Sequence, residues 1–264
     1  MSKQLIIAGF HRSGTSLTAQ LLNRAGLFLG ENLLKPDASN RYGHFEDVEV
    51  KAFHERLLNN SGVDWRIDEA LLPKVTPQNW RNISTLVENR RLEHKLWGFK
   101  DPRVCMFLQL WKYMLPGAKV LTVYREPAGS VYSLKRRHSS QLFAETGPLD
   151  KHRSFFEQPD LAARMWLAHN REVLKFARAY PEDTMVVSFE MIQDGFPLVW
   201  ALNRRWHLGL EEVPTFEVFD PTATIDTGEE LQTADEKLRR EIQRVHKELG
   251  GLELATEKLL EAGG

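Results

Sequence analysis

A glycine-containing loop with a single arginine stands near the amino terminus, at residues 9–16, and reads GFHRSGTS. Its spacing G-x-x-x-x-G lies between a short apolar run and an amphipathic pattern, which is typical of a loop that binds phosphate. Glycines let the backbone turn tightly, and the free N–H groups at a helix start point at the anion. Arg12, Thr15 and Ser16 would add a charge and hydroxyl donors.

The loop departs from the usual nucleotide triphosphatase pattern at one position. Thr15 replaces the lysine that normally follows the second glycine, and the cation stands inside the loop, at Arg12. A magnesium-dependent enzyme would also want a carboxylate at the end of a neighbouring strand. Two short apolar runs farther along the chain instead lead into cations: one ends in Lys100 and another is followed by Arg125. This favours a site that neutralises an anion with side-chain cations. The alternative is that the two glycines serve only a tight turn.

Short apolar runs and helical patterns alternate along the chain. The runs that predict buried strands are Leu5–Phe10, Leu96–Lys100, Lys119–Tyr124 and Met185–Phe189. The helical patterns cover Ser16–Arg24, Asp47–Asn59, Val104–Met114 and Leu161–Ala179. This alternation predicts an α/β fold: an open, mainly parallel sheet of the phosphate-binding-loop (P-loop) type, flanked by helices, with a helical insertion after the first strand–helix unit.

Three segments interrupt the alternation within what we expect to be a single domain, residues 1–264. Residues 27–94 are too long for a simple crossover, and we expect an insertion that caps the sheet. Residues 139–159 have weak periodicity and contain Gly and Pro, which favours a surface loop that could act as a lid. Residues 229–264 are charged and predicted to form a helix or helix pair, broken at 250–251.

Composition excludes several functional classes. Lys and Arg number 35 and Asp and Glu number 36, so overall charge gives no reason to expect a nucleic acid or an anionic membrane as partner. The one cysteine, Cys105, cannot form an internal disulfide, and the nine histidines show no metal-ligand spacing, so we expect no metal. No apolar stretch approaches the ~18 residues of a membrane span. We therefore expect a cytoplasmic protein; the sequence indicates no oligomeric state.

Two segments together resemble the family of sulfotransferases that use 3′-phosphoadenosine 5′-phosphosulfate (PAPS). Residues 9–16, ending in RSGTS, are similar to the loop that binds the 5′-phosphosulfate, above all in bacterial and tyrosylprotein sulfotransferases. Residues 123–137, reading VYREPAGSVYSLKRR, resemble the segment that binds the 3′-phosphate. An arginine at the strand end and a serine eight residues later bind that group in the family, which assigns the role to Arg125 and Ser133.

The resemblance implies a set of site residues. The donor would be bound by His11, Arg12, Ser13, Gly14, Thr15, Ser16, Arg125 and Ser133. Residues 42–47, YGHFED, resemble the segment with the catalytic carboxylate, which implies Glu46 as general base, with Asp47 as the neighbour that could replace it. Residues 97–103, WGFKDPR, resemble a Lys-Asp-Pro segment and imply that Lys100 contacts the transferred group. Arg12, Glu46 and Lys100 are thus the expected catalytic residues.

Simpler interpretations of these residues stay open from the sequence alone. Glu46 could be an acidic residue near a helix start, favoured by the helix dipole, and Lys100 could form a surface ion pair with Asp101. The resemblance covers residues 5 to about 210, with a late match at 187–192, while 211–264 match no family segment.

The resemblance implies in-line transfer of a sulfuryl group from PAPS to a hydroxyl acceptor, assisted by a carboxylate and without metal. The acceptor would be a small molecule, a carbohydrate or a lipid, and Trp65 in the insertion could line its pocket. Two alternatives remain: a metal-dependent P-loop small-molecule kinase, which would bind ATP with magnesium, or a nucleotide-binding protein of this fold without turnover.

Overall fold

The computed structural model describes residues 2–35, 43–218 and 230–261. The strands are β1 (Lys3–Ala8), β2 (Leu96–Lys100), β3 (Lys119–Tyr124) and β4 (Thr184–Ser188). The helices are α1 (Thr15–Arg24), α2 (Val48–Asn60), α3 (Pro77–Glu93), α4 (Leu108–Met114), α5 (Pro127–Phe143), α6 (Leu149–Glu157), α7 (Leu161–Ala179), α8 (Phe189–Gln193), α9 (Leu198–Trp206) and α10 (Glu236–Glu261). Short 3-10 turns cover Pro102–Phe107, Pro181–Asp183 and Thr215–Glu217.

The strands form one parallel sheet in the order β2-β1-β3-β4. Ile7 lies opposite Lys100 on β2, and Ala8 lies opposite Thr122 on β3. Because the strands are parallel, the residues that follow β1, β2 and β3 meet at one edge, where open sheets bind ligands. The prediction of an α/β fold with a mainly parallel sheet flanked by helices is confirmed.

Both faces of the sheet are buried, which explains why its strands have nearly continuous apolar sequences. Alternate residues of β1 point to opposite faces. Leu5 and Ile7 contribute to a core that includes residues of α1, α8 and α9. Ile6 and Ala8 contribute to the larger core, shared with residues of α2, α3, α4, α5, α6, α7 and α10.

The insertion, residues 27–94, begins along the outer edge of β2 and then forms α2 and α3. Phe28 pairs in parallel with Trp97, and the Gly98 N–H donates to the Phe28 carbonyl at 2.8 Å. A Cβ at Gly98 would lie 1.9 Å from the Leu5 carbonyl oxygen, so only glycine fits between these two neighbours. Side chains of α2 and α3 then pack into the larger core on one face of the sheet. Residues 36–42 of the insertion lie outside the described residues.

The prediction of a surface loop over residues 139–159 is wrong for most of its length. Helix α5 continues to Phe143 and α6 begins at Leu149, which leaves a short connection at 144–148. The face that α6 buries includes His152, and its Nδ1 lies 2.8 Å from Nδ1 of the buried His138 on α5. Two polar residues thus occupy positions that an apolar pattern would mark, which hid the helical periodicity.

Helix α10 runs without interruption through the glycine pair at 250–251, so the predicted break is also wrong. Each glycine costs a helix about 1 kcal/mol relative to alanine, and packing offsets this cost. Leu249 is fully buried in the larger core, and the Thr256 hydroxyl donates to the Val186 carbonyl at 2.8 Å. Glu253 accepts from the Ser188 hydroxyl at 2.6 Å and from the Tyr124 hydroxyl. Residues 229 and 262–264 of the predicted helical segment lie outside the described residues.

Within the ranges given above, no helix combines the length and the apolar character that crossing a membrane requires. The longest of these helices, α10, has 26 residues, but many of them are charged. Some of these charged residues pair with the neighbouring α7. Arg171 and Arg178 on α7 form ion pairs with Glu241 and Glu248.

Candidate active site

The loop after β1 requires glycine at both ends. A Cβ at Gly9 would lie 2.2 Å from the Val123 carbonyl oxygen of β3. Gly14 has a φ of +83°, and a Cβ there would lie 2.2 Å from the ring of Phe189. The loop therefore packs so closely against β3 and the start of α8 that the G-x-x-x-x-G spacing follows from sterics.

Arg12 lies in the middle of this loop with a φ of +66°. A left-handed backbone costs a residue other than glycine about 1–2 kcal/mol. The structure holds it there through a hydrogen bond from the Ser13 N–H to the Phe10 carbonyl, 3.2 Å long, and through the Arg12 side chain. Such strain concentrates at functional sites, so the left-handed backbone of Arg12 supports a functional role for this loop.

Arg12 joins the loop to helix α5. Its Nε donates to the Ser133 Oγ at 3.0 Å. One turn earlier on α5, the Ser130 Oγ lies 3.3 Å from the Ser13 Oγ, and both of these serines are fully buried. The segments that the sequence assigns to the two ends of one nucleotide are therefore in direct contact.

The start of α1 is arranged like an anion site. Among the described residues, no side chain caps this helix, whose N-cap is Gly14. The first N–H groups of a helix have no partner within the helix, and they favour a negative charge. Thr15 is buried at this point, and the Ser16 hydroxyl donates to the His44 carbonyl at 3.3 Å. The last contact fixes residues 43–47 against the loop.

Arg125 follows β3, and its guanidinium lies over the ring of Phe189. Its guanidinium carbon is 5.0 Å from the centre of the Phe189 ring, and its Nε is 3.9 Å from a carboxylate oxygen of Glu190. Burial raises the pKa of Glu190, and the charge of Arg125 offsets that effect only in part. Phe189 thus touches both Arg125 and the position of Gly14, and it connects the two predicted phosphate segments.

Lys100, at the tip of β2, contacts the predicted general base. Its Nζ donates to Glu46 Oε1 at 3.0 Å and to the His44 carbonyl at 2.9 Å. Both side chains are nearly buried, with 2% of Lys100 and 7% of Glu46 exposed. Glu46 and Lys100, assigned from two separate segments of the sequence, therefore form one buried pair beside the loop.

A second cation, Arg103, lies against the other oxygen of Glu46. The Arg103 Nη1 is 3.4 Å from Glu46 Oε2 and 2.8 Å from Asp101 Oδ1. Burial alone would lower the pKa of Arg103, but the carboxylates of Asp101 and Glu46 raise it. Burial would raise the pKa of Asp101, but Arg103 and a hydrogen bond from His54 hold it far below its usual range. Lys100 and Asp101 thus do not form the surface ion pair that the sequence left open.

The carboxylate of Asp47 makes contacts within the fold that differ from those of Glu46. Its Oδ1 accepts from the N–H groups of Glu49 and Val50 at 2.8 and 3.1 Å, which caps α2. Its Oδ2 pairs with the buried Arg90. Both oxygens are therefore used inside the fold, and Asp47, not Glu46, is the acidic residue that the start of the helix favours.

His11 is packed among rings. Its ring centre lies 5.1 Å from that of Trp65 and 5.9 Å from that of His169. Burial lowers the pKa of His11 well below the usual value, and the neighbouring His169 lowers it further. Among the described residues, its buried Nε2 has no hydrogen-bond partner. The side chains of His11 and Ser13 therefore pack within the protein, whereas Arg12 reaches across to α5.

Sequence reasoning missed four residues of this site: Arg103, Phe189, Ser130 and His54. Arg103 and Phe189 lie inside segments that the resemblance covers, but neither had an assigned role. His54 is a polar residue on the apolar face of α2, beside the fully buried Phe53. A buried polar residue on such a face needs a partner, and this was the available signal.

Comparisons with known proteins identify the family of the chain. The family model described as "Sulfotransferase family" matches residues 4–195, which include every predicted site residue. A crystal structure of a sulfotransferase from Alicyclobacillus acidocaldarius is 14% identical, covers 96% of each chain and gives a TM-score of 0.49. A sulfotransferase from Mycobacterium tuberculosis is also 14% identical, covers 96% of this chain and 77% of its own, and gives 0.45. No curated protein matches. Because the family model matches well over half of the chain, the protein belongs to the sulfotransferase family.

Proposed function

We propose that the protein transfers a sulfuryl group from PAPS to the hydroxyl group of an acceptor, with Glu46 as general base. The observation that carries this proposal is the 3.0 Å hydrogen bond between Arg12 and Ser133. It brings the loop suited to a 5′-phosphosulfate against the helix suited to a 3′-phosphate, at the edge of the sheet where ligands bind.

The residues present fit such a donor. The uncapped start of α1 suits the oxygens of the 5′-phosphosulfate, with hydroxyls from Thr15 and from Ser16, which would exchange its bond to the His44 carbonyl for one to the donor. Arg12 would bind the same group with its planar guanidinium. Arg125 and Ser133 would bind the 3′-phosphate. His11 and Ser13 would shape the loop, because Ser13 is buried and the ring of His11 packs against Trp65.

The proposed reaction forms a bond between the acceptor oxygen and sulfur and breaks the bond between sulfur and the phosphate oxygen. Glu46 takes the proton of the acceptor hydroxyl, and a positioned general base is worth about 10²–10⁴ in rate. Lys100 stabilises the charge that builds on the transferred group, worth about 3 kcal/mol for one such donor. Proton uptake by Glu46 also weakens its attraction for Lys100, which leaves that cation for the departing phosphate.

The site supports a magnesium-dependent kinase less well. The carboxylate that directly follows β2 is Asp101, and hydrogen bonds from Arg103 and His54 occupy both of its oxygens. The residue at the end of β2 and the residue that follows β3 are the cations Lys100 and Arg125. A triphosphate enzyme would want a free carboxylate at such a position.

Binding of the desulfonated nucleotide, 3′-phosphoadenosine 5′-phosphate, tests the donor assignment. At about 100 times its Kd this ligand should stabilise the protein by about 2.7 kcal/mol, measured as a rise in Tm. Adenosine 5′-phosphate, which lacks the 3′-phosphate, is the matched control and should give a smaller rise. A larger rise with ATP and magnesium would instead favour the kinase.

Transfer of labelled sulfate from PAPS to a panel of phenols, alcohols, sugars and lipids then tests turnover. Label on at least one hydroxyl acceptor supports the proposal. Nucleotide binding without transfer to any member of the panel would identify a binding protein that lacks turnover.

Three further expectations remain proposals. They are a cytoplasmic location, the absence of nucleic acid and metal partners, and the single-domain organisation over 1–264.

A further inference from the structure

A chain of buried polar side chains leads from Glu46 into the core. Arg103 Nη1 lies 3.4 Å from Glu46 and 2.8 Å from Asp101 Oδ1. Asp101 Oδ2 lies 2.9 Å from His54 Nδ1, and His54 Nε2 lies 2.8 Å from Trp111 Nε1. Arg103 is 8% exposed, Asp101 is 1% exposed, and His54 and Trp111 are fully buried.

The donors available fix the direction of every hydrogen bond in this chain. The indole N–H of Trp111 can only donate, so His54 Nε2 accepts. The ring therefore carries its proton on Nδ1, which donates to Asp101 Oδ2. Asp101 is then a pure acceptor, and its Oδ1 receives both the N–H and the Nη1 of Arg103, at 2.9 and 2.8 Å.

Packing alone does not require a histidine at this position. His54 lies among Phe53, Phe99 and Phe107, and its ring stacks on Phe107 with centres 5.0 Å apart. An apolar side chain would fill this volume without needing two partners. What a histidine adds is a fixed donor toward Asp101.

The contact lengths suggest what that donor does for Glu46. Arg103 lies against three carboxylates and is closest to Asp101, at 2.8 Å, while Glu46 and Glu55 are at 3.4 and 3.7 Å. Asp101 thus draws Arg103 away from Glu46. If Asp101 were held less firmly, Arg103 would move toward Glu46 and compete with an acceptor hydroxyl for Oε2.

We propose that His54, oriented by Trp111, is a positioning residue that acts through Asp101 to keep the contact between Arg103 and Glu46 Oε2 long, which leaves this oxygen able to accept from the acceptor hydroxyl as well. This inference rests on the proposed function, because it gives Glu46 the role of general base. It deepens that function by assigning a role to buried residues that touch neither donor nor acceptor.

Two substitutions at one position test the proposal. His54→Leu removes the donor, whereas His54→Asn keeps an amide N–H the same number of bonds from Cα as Nδ1. We expect His54→Leu to lower kcat by roughly tenfold or more, as happens in metal enzymes when a residue that orients a metal ligand is removed. The KM for PAPS and the Tm rise with 3′-phosphoadenosine 5′-phosphate should not change, and His54→Asn should recover most of kcat.

Controls separate this role from damage to the core. Phe53→Leu creates space beside the same ring and should lower Tm while kcat stays near the original value. Long-range proton–nitrogen NMR of the imidazole should find the His54 proton on Nδ1. A proton on Nε2, an unchanged kcat in His54→Leu, or equal losses in His54→Leu and His54→Asn would each overturn the proposal. If the unsubstituted protein binds the nucleotide but transfers no sulfate, the proposed function itself fails, and this role for His54 fails with it.

Discussion

Lowering the pH from 7 to 4 should destabilise the folded protein through one histidine behind the loop. His169, on α7, is fully buried, and its ring centre lies 5.2 Å from that of Phe10 and 5.9 Å from that of His11. Its Nδ1–H donates to the Met165 carbonyl at 2.8 Å. Burial is the main cause that lowers the pKa of His169, from the usual 6.5 to about 4, and the charge of Arg103 adds to it.

The sign and size of the effect follow from this pKa. The unfolded chain takes up the His169 proton near pH 6.5, whereas the folded protein takes it up near pH 4. The stabilisation is therefore fully present above about pH 6.5 and is lost as the pH falls toward 4. Since a tenfold change in proton affinity is worth about 1.4 kcal/mol, the free energy of unfolding should fall by up to about 3 kcal/mol from this group.

Urea unfolding at several pH values between 7 and 4 measures the effect against a matched variant. His169→Asn keeps an N–H that can donate to Met165 but does not titrate. As the pH falls from 7 to 4, the unfolding free energy of the original protein should therefore fall by about 3 kcal/mol relative to that of the variant. Apart from His11, whose pKa His169 lowers, the other acidic and basic groups titrate alike in both proteins, so their contributions cancel. If both proteins lost stability in parallel, the assignment of the lowered pKa to His169 would be refuted.

Three further predictions concern the site directly. Glu46→Gln should lower the rate of sulfate transfer by about 10²–10⁴ while nucleotide binding is retained, as initial rates and calorimetry would show. Ser133→Ala should weaken nucleotide binding by about 1 kcal/mol or more in titration calorimetry, because it removes the partner of Arg12. Gly14→Ala should lower Tm and nucleotide affinity more than Gly26→Ala, since both glycines have a positive φ but a Cβ at Gly26 meets nothing within 4 Å.

Each of these predictions has an outcome that contradicts it. Normal transfer by Glu46→Gln would exclude that residue as the base. Unchanged nucleotide affinity in Ser133→Ala would separate α5 from the donor site. Equal effects of alanine at Gly14 and Gly26 would mean that backbone strain alone, and not the close approach of Phe189, determines the requirement for glycine in the loop.

The sheet could be predicted from the sequence because its strands are buried on both faces. The bounds of β2 and β3 agree with the predicted runs, Leu96–Lys100 and Lys119–Tyr124. The first strand ends at Ala8, two residues before the apolar run does, because Phe10 is buried as part of the loop. Burial of His138 and His152 could not be predicted, since it depends on a hydrogen bond between two helices.

The candidate site was likewise predictable from the sequence only in part. The contact between Arg12 and Ser133 joins two segments that each have a recognisable pattern, so their roles could be inferred before their distance was known. The hold of Arg103 on Glu46 depends on how far a side chain reaches across the fold. The structural role of Asp47 likewise depends on its partner, Arg90, which lies on a different helix.

The position of β1 between β2 and β3 separates the residues proposed to bind the nucleotide from those proposed to act on the acceptor. The residues proposed for the nucleotide follow β1 and β3 or lie on α1 and α5, whereas Glu46 and Lys100 come from the insertion and from β2. Chimeras that exchange the insertion with that of another family member should therefore inherit a new choice of acceptor and keep the original nucleotide affinity.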